Sequence, residues 1–211
     1  MPVFQAGPNQ APEWCELEQF DIVELQAGET HDFPRLGRRE KLIVVRGRCR
    51  VAYDRQEVEA REGANLDLEA PSARFEVLVV YEPTTLIRMA GRWGAETGGS
   101  GIFGAAEVND PHDGGDPVAY EKRTPFDSHY HDCDEYWIFT EGRGMAVSEG
   151  RTYEVGAGDC VATGRGFHHD LPRVYEPMRG VYFETTLEGP KRLGHLWNHT
   201  HGEARPETSR A

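Results

Sequence analysis

The sequence predicts an all-β fold, a sandwich or barrel assembled from two similar halves. Three observations predict it. Short apolar runs alternate with turn residues along most of the 211 residues. Glycine (24) and proline (13) are plentiful enough to supply those turns. The pattern around Glu40 returns around Glu135.

Residues 1–16 are irregular, with Pro and Gln, and read as an arm on the surface or on a partner subunit. The first half, 17–90, contains expected strands at 20–25, 41–45, 49–53, 57–60, 65–69, 75–81 and 84–89. Their separators are Gly28, Gly47, Asp54 with Arg55, Gly63, Pro71 and Pro83. The alternation breaks over 91–116, which is rich in Gly, Asp and Pro and reads as an inter-domain connector. It resumes in the second half, 117–187, with strands expected at 118–122, 135–140, 145–147, 152–155, 159–162 and 179–186. Residues 188–211 form a tail, His-rich around Trp197 and polar and frayed over its last ten residues.

The halves repeat one another. Glu40 and Gly47 enclose six residues, Lys-Leu-Ile-Val-Val-Arg, and Glu135 and Gly142 enclose Tyr-Trp-Ile-Phe-Thr-Glu. The segment 63–71 parallels 158–166. An internal duplication accounts for both.

Charge and composition exclude some functions. The formal net charge is -13, so no dominant basic surface awaits nucleic-acid phosphates. No apolar run nears the ~20 residues of a membrane span. The N-terminus lacks the basic and apolar regions of a signal peptide, which points to a cytoplasmic protein. Cys15, Cys49, Cys133 and Cys160 form no Cys-x-x-Cys pair and are expected as free thiols.

The chemistry concentrates in residues 126–142. His129, His131 and Glu135 stand at even spacings, so on an extended chain all three point the same way. Two imidazoles and a carboxylate on one face suit a divalent transition metal. A fourth ligand is available in 158–169, which ends in His168 and His169. Asp132 and Asp134 have the opposite parity and are expected as solvated loop charges. Cys133 shares the ligands' parity, so its thiol is a further candidate to face the site.

These segments resemble the two motifs of the cupin superfamily. The first, Gly-x5-His-x-His-x3 or x4-Glu-x6-Gly, is matched by His129, His131, Glu135 and Gly142, with Arg123 in place of the leading Gly. The second, Gly-x5-Pro-x-Gly-x2-His-x3-Asn, is matched by Gly158, Gly166 and His169, with Gly164 replacing Pro and Arg173 replacing Asn. The resemblance spans roughly residues 20–187. It implies two cupin-type double-stranded β-helix (jelly-roll) barrels in tandem. His129, His131, Glu135 and His169 would hold one divalent metal per chain: Fe, Mn, Ni or Zn. The N-terminal copy, with Pro34 and Leu36 at the histidine positions and Glu76 at the His169 position, would be a degenerate cupin without metal.

In a barrel of this kind the ligand parity sends Trp137 and Phe139 inward as pocket wall, and Tyr136 and Ile138 outward. His168 and Glu184 are the candidate catalytic proton carriers, with pocket tyrosines Tyr153 and Tyr182 beside them. Arg123, Arg165, Arg173 and Arg179 are available to grip an anion. His195, His199 and His201 read as surface, or as a flap over the pocket.

By resemblance, the expected function is a metal-dependent enzyme on a small oxygen-rich substrate (sugar, sugar acid or oxyacid), working by Lewis-acid isomerisation, epimerisation or lyase chemistry. Alternatives are an iron dioxygenase on an aromatic or apolar molecule and a non-catalytic binding cupin. The expected partner is a small-molecule substrate, with no nucleic acid and no membrane. A homodimer through the sheets is permitted.

Overall fold

A computed structural model describes residues 3–68, 73–106, 124 and 126–211. The chain forms two compact units. One comprises Ala6–Ala11 and Leu17–Trp93, the other Met1–Gln5, Pro12–Glu16 and Gly94–Ala211.

The unit built on Leu17–Trp93 contains β2 (Leu17–Leu25), β3 (His31–Asp32), β4 (Arg39–Tyr53), β5 (Gln56–Arg61), β6 (Asn65–Leu68) and β7 (Glu76–Gly91). The unit built on Gly94–Ala211 contains β1 (Val3–Gln5), β8 (Thr97–Ala105), β9 (Glu135–Ser148), β10 (Arg151–Gly156), β11 (Asp159–Thr163), β12 (His169–Thr186) and the short helix α1 (Asn198–His201). Among the described residues the fold is therefore all-β but for this helix and a 3-10 turn over Thr208–Arg210. Among the described residues no helix is long and apolar enough to cross a membrane.

The same pairing scheme appears twice. β4 pairs antiparallel with β5, β6 and β7, and β9 pairs antiparallel with β10, β11 and β12. The sheets run β2-β7-β4-β5 and β1-β11-β9-β12-β8, and among the described residues neither closes on itself. The correspondence extends to single bonds. Gly63 N donates to Val44 O and Gly158 N to Phe139 O, both at 2.9 Å, and each acceptor lies four residues past its Glu.

The long strands turn at their glycines. Gly47 and Gly142 have φ of +88° and +78°, where a side chain is strained. A Cβ at Gly142 would stand 2.6 Å from Pro177 C, and one at Gly47 2.7 Å from Thr84 Cα. Register shifts flank both crossings, bending strands of 14 to 18 residues as bulges do.

Each unit has its own core. Phe33, Leu42, Val44, Leu68, Phe75 and Val77 pack in one, and Phe126, Trp137, Phe139, Val161, Leu171 and Met178 in the other. Trp137 and Phe139 thus lie inward. Tyr136 and Ile138, of opposite parity, are fully buried too. The Tyr136 hydroxyl accepts a hydrogen bond from Glu16 N at 2.8 Å, so the outer face of β9 is met within the same unit by the segment Pro12–Glu16.

Three segments differ from expectation. The N-terminal arm supplies a strand, because Val3–Gln5 finds a free edge on β11. The expected connector over 91–116 begins with the end of β7 and contains β8, which pairs with β12 from Thr97 to Ala105. The glycines of Thr-Gly-Gly-Ser-Gly erase the alternation there without preventing the ladder. The C-terminal tail is not frayed, since its last residues reach buried partners described below. The strand expected at 118–122, with Arg123 and Pro71, lies outside the described residues.

Candidate metal centre

The ligands come from two chain segments that meet at one bridge. His129 N and His169 O lie 3.2 Å apart, and His169 N and His129 O 3.0 Å, in a reciprocal antiparallel pair. His169 opens β12, Glu135 opens β9, and His131 lies between in the entering loop. One ligand atom from each of His129, His131, Glu135 and His169 lies within 4.8 Å of all the others. All four residues are buried.

Their hydrogen bonds orient them as ligands. Each histidine turns Nδ1 to a backbone carbonyl: His129 to Asp127 O (2.8 Å), His131 to Gly194 O (3.1 Å) and His169 to Phe167 O (3.3 Å). A carbonyl only accepts, so Nδ1 carries the proton and Nε2 keeps its lone pair in the neutral ring. The three Nε2 atoms and Glu135 Oε2 are buried without a hydrogen bond of ordinary geometry. Glu135 Oε2 nevertheless lies 2.5 Å from His169 Nε2 and 3.2 Å from His131 Nε2. Buried acceptors converging in this way could share a cation, and three imidazoles with one carboxylate form a set suited to a divalent transition metal. The backbone acceptors behind the imidazoles complete the usual architecture of such a site.

The electrostatics separate the histidines, and His131 is the ring that must give up a proton before its Nε2 can bind a metal. Burial, followed by His169, His195 and His131, holds the His129 pKa well below its usual value. Burial also lowers His131, but Glu135 and Glu184 outweigh it and bring that ring up to about 9. Burial raises Glu135, yet His131 and His169 hold it well below the usual carboxylate range.

A cavity of about 450 Å³ opens onto this cluster. His129 and Glu135 face it at one end, with Glu184, His195 and Tyr182 also in its wall. Phe103, Phe126 and Trp137 form an aromatic side, with centroids 5.4 to 6.1 Å apart. A Cβ at Gly98 would stand 2.7 Å from Glu184 Cβ and 3.1 Å from Cys133 Sγ, so the wall there is bare backbone.

Of the proton carriers expected from sequence, Glu184 is in the cavity, paired in register with Glu135 across β9 and β12. His168 is not among the lining residues, and its ring lies 5.3 Å from Tyr130. His195 is the histidine that lines the cavity, its ring 4.0 Å from that of His129. It belongs to no motif. Phe139 packs in the core with Val161 and Leu171, and it is Trp137 that reaches the cavity. Cys133 is buried, and burial with Glu184 and Glu135 pushes its thiol far up. It is outside the ligand group.

Asp132 and Asp134 are not solvated loop charges, being 6% and 0% exposed. Parity does turn them from the ligands, but the C-terminal tail covers that side. Arg192 grips Asp132 and Arg210 grips Asp134. Burial pushes Asp134 up to about 6 against the pull of Arg210. Arg165 pairs with Glu188 and Glu207 and does not line the cavity.

The decisive comparison is with the uncharacterized protein y4oW of Sinorhizobium fredii, 44% identical over 209 residues, 98% of this chain and 96% of that protein. The chain belongs to the y4oW family. No family model matches it. Solved structures place the y4oW family in the cupin fold. AerE from Microcystis aeruginosa aligns at TM-score 0.58 with 9% identity, over 89% of this chain and all of that one. A serine-to-alanine mutant of Bacillus subtilis oxalate decarboxylase aligns at 0.56 with 11% identity, over 84% of this chain and 70% of that one. Another structure of that decarboxylase, studied for its Mn(II) centres, aligns at 0.51 with 12% identity, over 80% and 68%. Likeness at these identities concerns fold alone.

Proposed function

We propose that the chain is a metal-dependent cupin enzyme acting on a small oxygen-rich substrate by isomerisation, epimerisation or lyase chemistry. The supporting observation is the convergence of four buried ligand atoms, of which those of His129 and Glu135 belong to residues lining a cavity that also presents Glu184, His195 and Tyr182. A divalent metal bound there supplies Lewis acidity toward a carbonyl or carboxylate oxygen. The protein's own part is positioning and proton transfer. Glu184, 5% exposed, takes the proton beside that carbonyl. Tyr182 and His195 bind and orient the oxygens. The cavity's size suits a small molecule. On this reading the unit built on Leu17–Trp93 is a degenerate cupin copy that carries no metal.

Metal analysis of the purified protein, followed by an anaerobic screen of sugars, sugar acids and small oxyacids, tests the proposal. One metal per chain, lost in a His129→Ala, His131→Ala double variant together with turnover, is the expected result. A protein without bound metal that turns over a substrate equally well in the double variant would sink it.

The aromatic side formed by Phe103, Phe126 and Trp137 favours a second reading, an iron dioxygenase on an aromatic substrate. Oxygen uptake separates the two, since activity that persists under strict anaerobiosis excludes the dioxygenase.

A further inference from the structure

Between the ligands His129, His131 and Glu135 stand three residues that turn the other way, and the C-terminal segment holds each of them. Tyr130 exchanges backbone hydrogen bonds with Leu196 at 2.9 and 3.0 Å, and its hydroxyl donates to Gly202 O at 2.8 Å. Asp132 receives the Arg192 guanidinium as a fork, Nε to Oδ2 and Nη2 to Oδ1, both 2.9 Å. Asp134 receives Arg210 Nη1 at 2.9 Å, while the other arm of Arg210 reaches Glu188 at 3.1 Å. The segment also touches a ligand directly, because Gly194 O is the acceptor for His131 Nδ1.

The second motif makes room for this segment. A Cβ at Gly164 would stand 2.7 Å from Arg210 Cβ, and one at Gly166 2.7 Å from Arg205 C. Gly164 is the position at which the sequence departs from the motif's proline. The departure leaves space for the C-terminus to cross.

Resting on the metal reading above, we infer that residues 188–210 are a clamp that positions the ligands, with Arg192 and Arg210 as its positioning residues. A bidentate guanidinium–carboxylate pair fixes orientation as well as distance. Asp132 and Asp134 lie inside the stretch from His131 to Glu135, next to one ligand each, so fixing both carboxylates fixes the backbone that aims both ligands. Gly194 then sets the plane of the His131 ring.

The test compares Arg192→Met, Arg210→Met and Arg192→Lys with a control, Lys191→Met, whose ammonium pairs with Glu96 in the same segment. Two readouts are taken on the full chain: exchange of the His131 Nδ1 proton by NMR in metal-free protein, and affinity and visible spectrum with Co(II). The expected result is faster Nδ1 proton exchange and about 10–100-fold weaker Co(II) binding with an altered spectrum in both Met variants. Arg192→Lys, which keeps the charge and loses the fork, falls between, and Lys191→Met matches wild type. If a Met variant fails to fold, Arg192→Lys decides. Variants that fold and match wild type in both readouts overturn the clamp. A wild-type chain that binds no Co(II) counts against the metal reading instead, and proton exchange alone then decides the clamp.

Discussion

Alanine at Gly142 forces a Cβ into the backbone of β12. The residue has φ +78°, and the left-handed region costs an L side chain about 1–2 kcal/mol. The new Cβ would also stand 2.6 Å from Pro177 C and 2.7 Å from Met178 Cα. Those atoms are main chain and cannot rotate away, so the strands must separate, at about 1–3 kcal/mol for overpacking. Alanine's smaller unfolded-state entropy returns about 0.4–1 kcal/mol. The net expectation is a loss of about 1–5 kcal/mol. Gly150 is the control, with φ +71° and nothing within 4 Å of a Cβ. It carries the strain without the clash, so its alanine variant should lose no more than about 1.6 kcal/mol by the same arithmetic. Gly47 repeats the clash in the other unit, 2.7 Å from Thr84 Cα. Urea unfolding followed by tryptophan fluorescence measures all three, with metal content determined in parallel. Gly142→Ala should lose stability and metal, and Gly47→Ala stability only. Equal losses for Gly142→Ala and Gly150→Ala would refute the claim that close approach, rather than φ alone, demands glycine.

Chelation should lower the melting temperature by about 5–10 °C if the metal is held at ~100 times its dissociation constant, and the shift should vanish in His129→Ala. Glu135→Gln should lose the metal, while Glu40→Gln should keep it and cost about 1–3 kcal/mol in unfolding, because Glu40 is buried. All four cysteines are buried and outside any disulfide, and burial pushes Cys49 up to about 11 and Cys160 well above its usual value. A thiol reagent at pH 8 should therefore react slowly with native protein and titrate four thiols after denaturation.

The parts legible in the sequence are those written in local spacing. The two-residue period brought His129, His131 and Glu135 to one side, and the glycines at 47 and 142 marked where the long strands turn. β8 was illegible because four of its nine residues are glycine and its order comes from pairing with β12. Asp132 and Asp134 showed the right parity but not their environment, since their arginines lie 60 and 76 residues away. An arginine near a C-terminus looks like any solvated charge until the fold brings it to a buried carboxylate. His195, read as surface or as a flap over the pocket, carried no local mark of its place for the same reason. His168 adjoins a ligand in sequence, whereas His195 reaches the cavity because Leu196 pairs with Tyr130.

Glu40 and Glu135 occupy equivalent places, and their surroundings explain why one repeat would keep a metal. Glu40 Oε1 already accepts Leu36 N at 2.5 Å and Gly37 N at 3.1 Å, with Arg35 Nε 3.7 Å away. Nearby, Arg88 donates to Pro34 O at 2.7 Å and stacks 5.1 Å from Phe33. A cation there would compete with backbone donors and the Arg35 guanidinium. Around Glu135 the backbone plays the opposite part. Carbonyls stand behind the imidazoles and accept from their Nδ1 edges, which turns the Nε2 atoms inward. The cationic groups, Arg192 and Arg210, stand on the far side of the loop against Asp132 and Asp134. The same pair of β strands thus supports a filled core where amides surround the Glu, and a ligand set where carbonyls stand behind the imidazoles. On that reasoning, placing histidines at Pro34 and Leu36 would leave Glu40 Oε1 committed to its amides and only Oε2, buried without a hydrogen-bond partner, open to a cation.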